Sequence, residues 1–276
     1  MDYSFISSLL QGALDIWSDN LELMYELLTT SPESFRSGEI YSHIRTLAGS
    51  LQGVAYALFT LFFLAGIIRQ FSSFSELMRK EAAVKILLRF ALGKILIDLG
   101  AELMSAIISI GQGIISVAIK GGGVSASKLL LPEEISAAVD KLGFLQSIPV
   151  FVIAILCAIV VWVLSMKMIL TVYGRFFRIY LYLALAPVFL SSVSGYGTQR
   201  YALNFLRSFA MVAVEGIVMA VSMVVFSYFA VSVPDSAPDT TAFMLVVKYM
   251  GAYIFNMLIL NTFISSSDRI VREMAM

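Results

Sequence analysis

Six apolar tracts occupy most of the chain between Thr46 and Ser267 and leave little polar sequence from which to build a water-soluble domain. They are Thr46–Ile67, Leu103–Ile119, Ile148–Met166, Ile179–Val193, Ser208–Val233 and Tyr249–Ser267. About 18 apolar residues in helical form cross the roughly 30 Å hydrocarbon core of a bilayer, and four of the six tracts reach that length unaided. The expected fold is an all-α polytopic membrane protein, because lipid offers backbone groups no partner and each helix must satisfy its own. With 14% charged residues and a mean hydropathy of +0.88, the chain falls well below the roughly 25% charge of soluble domains.

Composition also narrows the chemistry. The formal net charge is zero, so no global field draws nucleic acid to the chain. Cys157 is the only cysteine and His43 the only histidine. No intrachain disulfide can form, and one histidine with one distant cysteine does not supply metal-ligand spacing. There is no phosphate-binding glycine loop and no Ser–His pair with a credible partner, so neither an enzyme nor a cofactor protein is expected. The N-terminus is acidic and lacks the basic n-region and short apolar core of a secretory signal. Insertion is expected to use the internal tracts.

Lys and Arg favour cytoplasmic loops. Residues 68–94 hold Arg69, Arg79, Lys80, Lys85, Arg89 and Lys94, whereas residues 1–45 hold Arg36 and Arg45 against seven acids. This places the N-terminus outside and the first loop inside. The fourth tract decides the rest, since Ile179–Val193 has 15 residues and contains Pro187. If it spans, the basic residues divide 10 inside and 9 outside, which is no bias. If it dips in and returns, or lies buried, residues 167–207 stay inside and the division becomes 13 to 6. The expectation is therefore about five transmembrane helices plus a short Pro-containing re-entrant or buried helix. Residues 1–45 then form an external N-terminal amphipathic region, 46–267 the bundle with an external loop at 120–147, and 268–276 a cytoplasmic tail. The acidic turn from Val233 to Asp239 falls outside.

Local patterns refine this plan. Residues 3–29 carry Ile6, Leu9, Ala13, Trp17, Met24 and Leu28 on one helical face and Asp15, Asp19, Glu22 and Glu26 on another. Helices lying on anionic lipid are rich in Lys and Arg on the polar face, and this one has none before Arg36. It either packs on the protein's own surface or docks a partner outside the membrane. Thr30-Ser-Pro-Glu-Ser34 ends it. No turn signal interrupts Ala82–Ile119, which reads as one long helix ended by Gly121-Gly-Gly123, and Leu131–Val139 reads as a short helix with Pro132 at its first turn.

Ionisable groups at membrane depth are costly and point to interiors. Lys94, Asp98 and Glu102 share one helix face. They form either an intrahelical Lys94–Asp98 bridge near the inner interface or a polar stripe facing a pore or partner subunit. Glu215 sits two turns into the fifth tract among apolar residues. Its partner is expected on another helix, with Lys167 the candidate, and it serves either a structural pair or a conduction path. Gly49, Gly53 and Ala57, four residues apart, form a face for close helix approach.

One further pattern runs from Arg175-Phe-Phe-Arg178 through Ile-Tyr-Leu-Tyr-Leu-Ala-Leu-Ala to Pro187-Val-Phe-Leu190, then Thr198-Gln-Arg200 and Asn204-Phe-Leu-Arg207. With the outside amphipathic N-terminus, two spans and an outside loop before it, the chain resembles the TrbL-type conjugal-transfer membrane proteins. These are the polytopic membrane subunits of type IV secretion systems, and the short length and minimal external loop resemble versions from Gram-positive conjugative elements. The resemblance implies a non-enzymatic channel or platform subunit in the bacterial cytoplasmic membrane. It implies assembly with other secretion subunits, with a partner ATPase supplying energy. The Gly49/Gly53/Ala57 face and a tract too short to span both ask for close protein cover, so a homo-oligomeric ring embedded in membrane lipids is expected. A transient single-stranded DNA–protein substrate would pass across the membrane. A secondary transporter is the alternative, and it predicts two corresponding halves with broken helices at the midplane. Pro187 offers one such break, and the first half offers no match.

Overall fold

The computed structural model describes residues 4–70, 80–122, 133–140, 144–229 and 241–275, and among them every regular element is helical. The α-helices are α1 (Ser4–Thr29), α2 (Glu39–Gln70), α3 (Lys80–Asp98), α4 (Gly100–Gly121), α5 (Glu133–Asp140), α6 (Phe144–Leu190), α7 (Gln199–Phe229), α8 (Ala242–Ser265) and α9 (Ser267–Ala275). Short 3-10 turns at Phe35–Gly38 and Ser191–Ser194 precede α2 and follow α6. Five helical segments are long and apolar enough to cross a membrane: Phe35–Gln70, Gly100–Gly121, Ser147–Ser194, Gln199–Tyr228 and Phe243–Ser265. The protein is a polytopic, all-α membrane protein. The acidic turn from Val233 to Asp239, residues 71–79 of the first loop and Pro132 lie outside the described residues.

The chain divides into two compact units, and α4, α6, α7 and α9 each contribute to both. The first unit comprises Met1–Thr29, Ile115–Tyr173 and Ile217–Ile270. Here α1 packs on α5, and the Phe5 ring lies 5.8 Å from that of Phe151 on α6. Ile6, Ala13, Trp17, Met24 and Leu28 are buried as the helical spacing predicts, Leu9 is only half-buried, and Leu10 and Leu14 join the buried face. Asp15, Asp19, Glu22 and Glu26 are exposed. The amphipathic helix thus packs on the protein's own surface. The Thr29 hydroxyl donates to the carbonyls of Tyr25 and Glu26 in the last turn, and Pro32 prevents continuation. Between α6 and α8, buried Asn261 donates to the Leu164 carbonyl at 2.6 Å.

The second unit comprises Thr30–Ile114, Gly174–Gly216 and Val271–Met276. Helices α2 and α3 run antiparallel, locked by a cluster of Phe59, Phe63 and Phe90 rings. The end of α6 and the start of α7 form a helical hairpin around Met104, Ile108, Leu183, Leu190, Phe205 and Phe209. Its turn is held from both sides. Ser191 and Ser192 hydroxyls donate to the Val188 and Phe189 carbonyls, satisfying acceptors that the helix end leaves open. Ser194 donates to the Phe59 carbonyl on α2 at 3.1 Å.

Two expectations change. The fourth apolar tract is not a separate short helix, since Ile179–Leu190 continues α6, a single helix of 47 residues. At 1.5 Å per residue that helix is about 70 Å long. Lys167, Arg175 and Arg178 interrupt the hydropathy run but not the hydrogen-bond ladder. Pro187 sits in the last turn, where the helix ends three residues later, so no broken mid-membrane helix of the transporter kind forms there. The long helix expected over Ala82–Ile119 bends at Leu99. Its ladder persists, because Leu99 N–H donates to Ile95 and Leu103 N–H to Leu99. The bend lies beside Gly100, where an added Cβ would meet Leu190 Cδ1 at 2.4 Å.

Candidate functional site: a buried charge cluster in the α6–α7 hairpin

Arg175 and Arg178 are three residues apart on α6 and therefore share a face. Across the hairpin, α7 presents Glu215. The Arg178 Nη2 donates to Glu215 Oε1 at 2.6 Å, with the Glu215 side chain 2% exposed and that of Arg178 32% exposed. Arg175 is more deeply placed, with 1% of its surface accessible. Its Nε lies 3.3 Å from the Val212 carbonyl and its Nη2 3.5 Å from that of Ala213. Those oxygens already accept within α7, but a carbonyl has two lone pairs and can take a second donor.

Space for this guanidinium comes from Gly216, where an added Cβ would meet Arg175 Cζ at 2.2 Å. Two arginines and one carboxylate thus share a site that lipid tails cannot solvate. The cluster joins α6 to α7 by charge and by charge-assisted hydrogen bonds, which are stronger than neutral ones. The first turn of the unit is tied to the same stretch of α6. Tyr180 donates to the Pro32 carbonyl at 2.8 Å, and the Phe35 and Phe176 rings stack 4.7 Å apart.

Glu215 therefore sits in an interhelical pair of the kind expected, but with Arg178 instead of Lys167. Lys167 is exposed and belongs to the first unit. The stripe of Lys94, Asp98 and Glu102 is exposed and does not close on itself. Tyr56 on α2 donates its hydroxyl to Asp98, and Arg45 on α2 pairs with Glu102. Lys94 makes no bridge to Asp98, so the intrahelical reading is replaced by cross-helix contacts. Gly49, Gly53 and Ala57 are also exposed, and an added Cβ at Gly49 or Gly53 meets nothing within 4 Å. The face of α2 used inside the unit is the other one, bearing Ala48, Ala55, Phe59 and Gly66. Pro187 is buried near the end of α6.

In the sequence Arg175 appears among the basic residues of 167–207 and opens the pattern that carries the family resemblance, but nothing there pairs it with Glu215. The available signal was its position: it precedes Gly195 by 20 residues, and Glu215 follows Gly195 by 20. A hairpin turning there brings both to one level. No group of three or more His, Cys, Asp or Glu side chains able to hold a metal occurs among the described residues.

A family model described as TrbL/VirB6 plasmid conjugal transfer like protein matches residues 19–187. No curated protein and no solved structure matches the chain.

Proposed function

This chain belongs to the TrbL/VirB6-like family of plasmid conjugal-transfer proteins, and from that premise we propose that it is a channel or platform subunit of a type IV secretion system. It assembles as a homo-oligomeric ring in the cytoplasmic membrane and helps pass a single-stranded DNA–protein substrate. Energy comes from a partner ATPase, and other secretion subunits complete the apparatus. The observation that carries this reading is the family match from within α1 to Pro187. A donor strain deleted for this chain should lose transfer of DNA to recipients and regain it on complementation. Undiminished transfer from the deletion strain overturns the reading.

The ring is supported by the bare Gly49/Gly53/Ala57 face, since small residues allow close helix approach in membranes. Because a Cβ added at Gly53 meets nothing within 4 Å among the described residues, Gly53→Leu should leave the protomer folded and dissociate the oligomer in native mass spectrometry. A monomeric unmutated protein in mild detergent sinks the ring.

Orientation follows the 13-to-6 distribution of basic residues, with the N-terminus outside and the C-terminus cytoplasmic. It is supported by contacts within the second unit. Arg89 donates to Gln70 at 2.9 Å and lies 5.6 Å over the Tyr196 ring. The end of α2 and the α6–α7 turn therefore share one end of the unit. Six full spans would separate them across the membrane. In a Cys157→Ser background, Arg200→Cys should resist impermeant reagents applied outside the cell, and labelling there overturns the five-span orientation.

A further inference from the structure

The second unit carries charges of opposite sign on two separate flanks. On the first flank Asp98 and Glu102 are exposed, with Tyr56 donating to Asp98 and Arg45 pairing with Glu102. Tyr56 lies midway along α2, a helix long and apolar enough to cross a membrane, so Asp98 sits at membrane depth. A carboxylate has acceptor sites for several donors, and exposure leaves both of these able to take more. On the second flank, the start of α7 presents Arg200, Asn204 and Arg207 along one exposed helix face. Tyr201 beside them is 65% exposed. Tyr201 and Asn204 border a groove of about 510 Å³ whose other walls include Leu181, Leu185 and Phe189. Among the described residues, α2, α3 and α4 contribute nothing to that groove, so they leave this flank uncovered.

Neither flank suits lipid. Ionised groups at membrane depth face protein or water, because hydrocarbon solvates them poorly. The two flanks also lie at matching heights. Phe189 of α6 stacks on Phe205 of α7 with ring centroids 4.9 Å apart, and Asn204 and Arg207 bracket Phe205 in sequence. Gly100 abuts Leu190, the residue after Phe189, and Asp98 and Glu102 bracket Gly100. A cyclic assembly about an axis along these helices keeps every residue at its own height. Acceptors of one copy and donors of the next then meet at one level. Two different faces, rather than one face meeting itself, are what a head-to-tail ring requires.

We propose, resting on the ring reading, that adjacent copies meet head to tail through these flanks, with Arg207 and Asn204 of one copy contacting Glu102 and Asp98 of the next. Each flank supplies the charge that the other needs, which fixes the register of the contact and disfavours a face meeting its own like charges. Tyr201 of the first copy falls opposite Gly53 of the second. A Cβ added at Gly53 meets nothing within 4 Å among the described residues, so an aromatic ring has room there.

The test uses the full chain in its membrane, in a Cys157→Ser background. Tyr201→Cys together with Gly53→Cys should give disulfide-linked multimers on oxidation with copper phenanthroline, and either substitution alone should give none. Cross-linking by one substitution alone would mean a two-fold contact of a face with itself, and overturns the head-to-tail contact. A second measurement reverses the charges. Arg207→Glu or Glu102→Arg should each lower the oligomeric fraction in native mass spectrometry by at least about tenfold, and the two together should restore most of it. A ring in the unmutated chain that gives no cross-link between positions 53 and 201, or that both reversals leave intact, overturns this contact and leaves the ring standing. A monomeric unmutated chain removes the ring reading and the contact with it. Should a reversal fail to fold, the cysteine pair, which leaves every charge in place, still decides it.

Discussion

Two ion pairs tie helices together in the second unit, and they differ in nearly everything but chemistry. Arg45–Glu102 joins α2 to α4 with side chains 44% and 51% exposed. Arg178–Glu215 joins α6 to α7 with its carboxylate 2% exposed, backed by a second, fully buried arginine. An exposed pair is screened and constrains two long side chains, so its net value is about 0–1 kcal/mol. The second pair has lost the hydration of its carboxylate and part of that of its arginine. Its intact value is modest, but removing one partner strands the other and costs roughly 3–5 kcal/mol. The first pair can be edited freely, whereas the second works as a unit.

The largest expected effect is on that unit. Arg178→Met leaves Glu215 beside Arg175 alone, and Glu215→Gln leaves two arginines without a carboxylate. Each should lower thermal stability in detergent by an amount corresponding to roughly 3–5 kcal/mol. The double variant Arg178→Met with Glu215→Met should recover much of the loss, because no half-pair remains. Additive losses in this cycle would show that the two side chains do not act together. If the pair is structural only, transfer should follow stability through the series. If the cluster lines the transfer path, the double variant should be stable and yet fail to transfer DNA.

A middle-sized effect is expected at Gly216. Gly216→Ala adds a carbon where Arg175 Cζ would stand 2.2 Å away. Overpacking of this kind costs about 1–3 kcal/mol, and here it falls on a guanidinium that cannot easily find other partners. In an Arg175→Met background the same glycine change should become nearly neutral. Equal losses in both backgrounds would separate the glycine from the arginine.

These two sites were not equally legible in the sequence. The five spanning segments, the buried face of α1 and the short α5 follow from hydrophobic periodicity and turn residues, which act locally. Glu215 was legible too, because one carboxylate in an apolar tract demands a partner. Its partner was not, because Lys167 and Arg178 differ only in where the hairpin turns, and hairpin register is a tertiary property. The fusion of the third and fourth tracts was hidden for a related reason. Lys167, Arg175 and Arg178 break a hydropathy run, yet Lys and Arg are good helix formers, so α6 continues through them. The bend at Leu99 lies beside the close approach of Leu190 to Gly100, a tertiary contact that no local pattern encodes.

The smallest effect is expected at the exposed pair, and it sharpens the contrast most. Arg45→Gln removes the partner of Glu102 but leaves the carboxylate largely accessible, so the protomer should lose less than about 1 kcal/mol, and less still at high salt. Glu102 lies one turn beyond Asp98, which Tyr56 binds from α2, so the α2 contact persists. Arg45 also lies on α2 one turn before Gly49, the start of the small-residue face assigned to the ring. If assembly covers that end of α2, the same pair is buried in the oligomer and changes class. Arg45→Gln should then be nearly silent in the dissociated protomer and costly in the assembled ring, read as a larger fall in melting temperature when it is introduced into the oligomer than when it is introduced into the Gly53→Leu monomer. A small effect in both states would mean that the Arg45–Glu102 pair stays in contact with water after assembly, and that the ring contact lies further along α2.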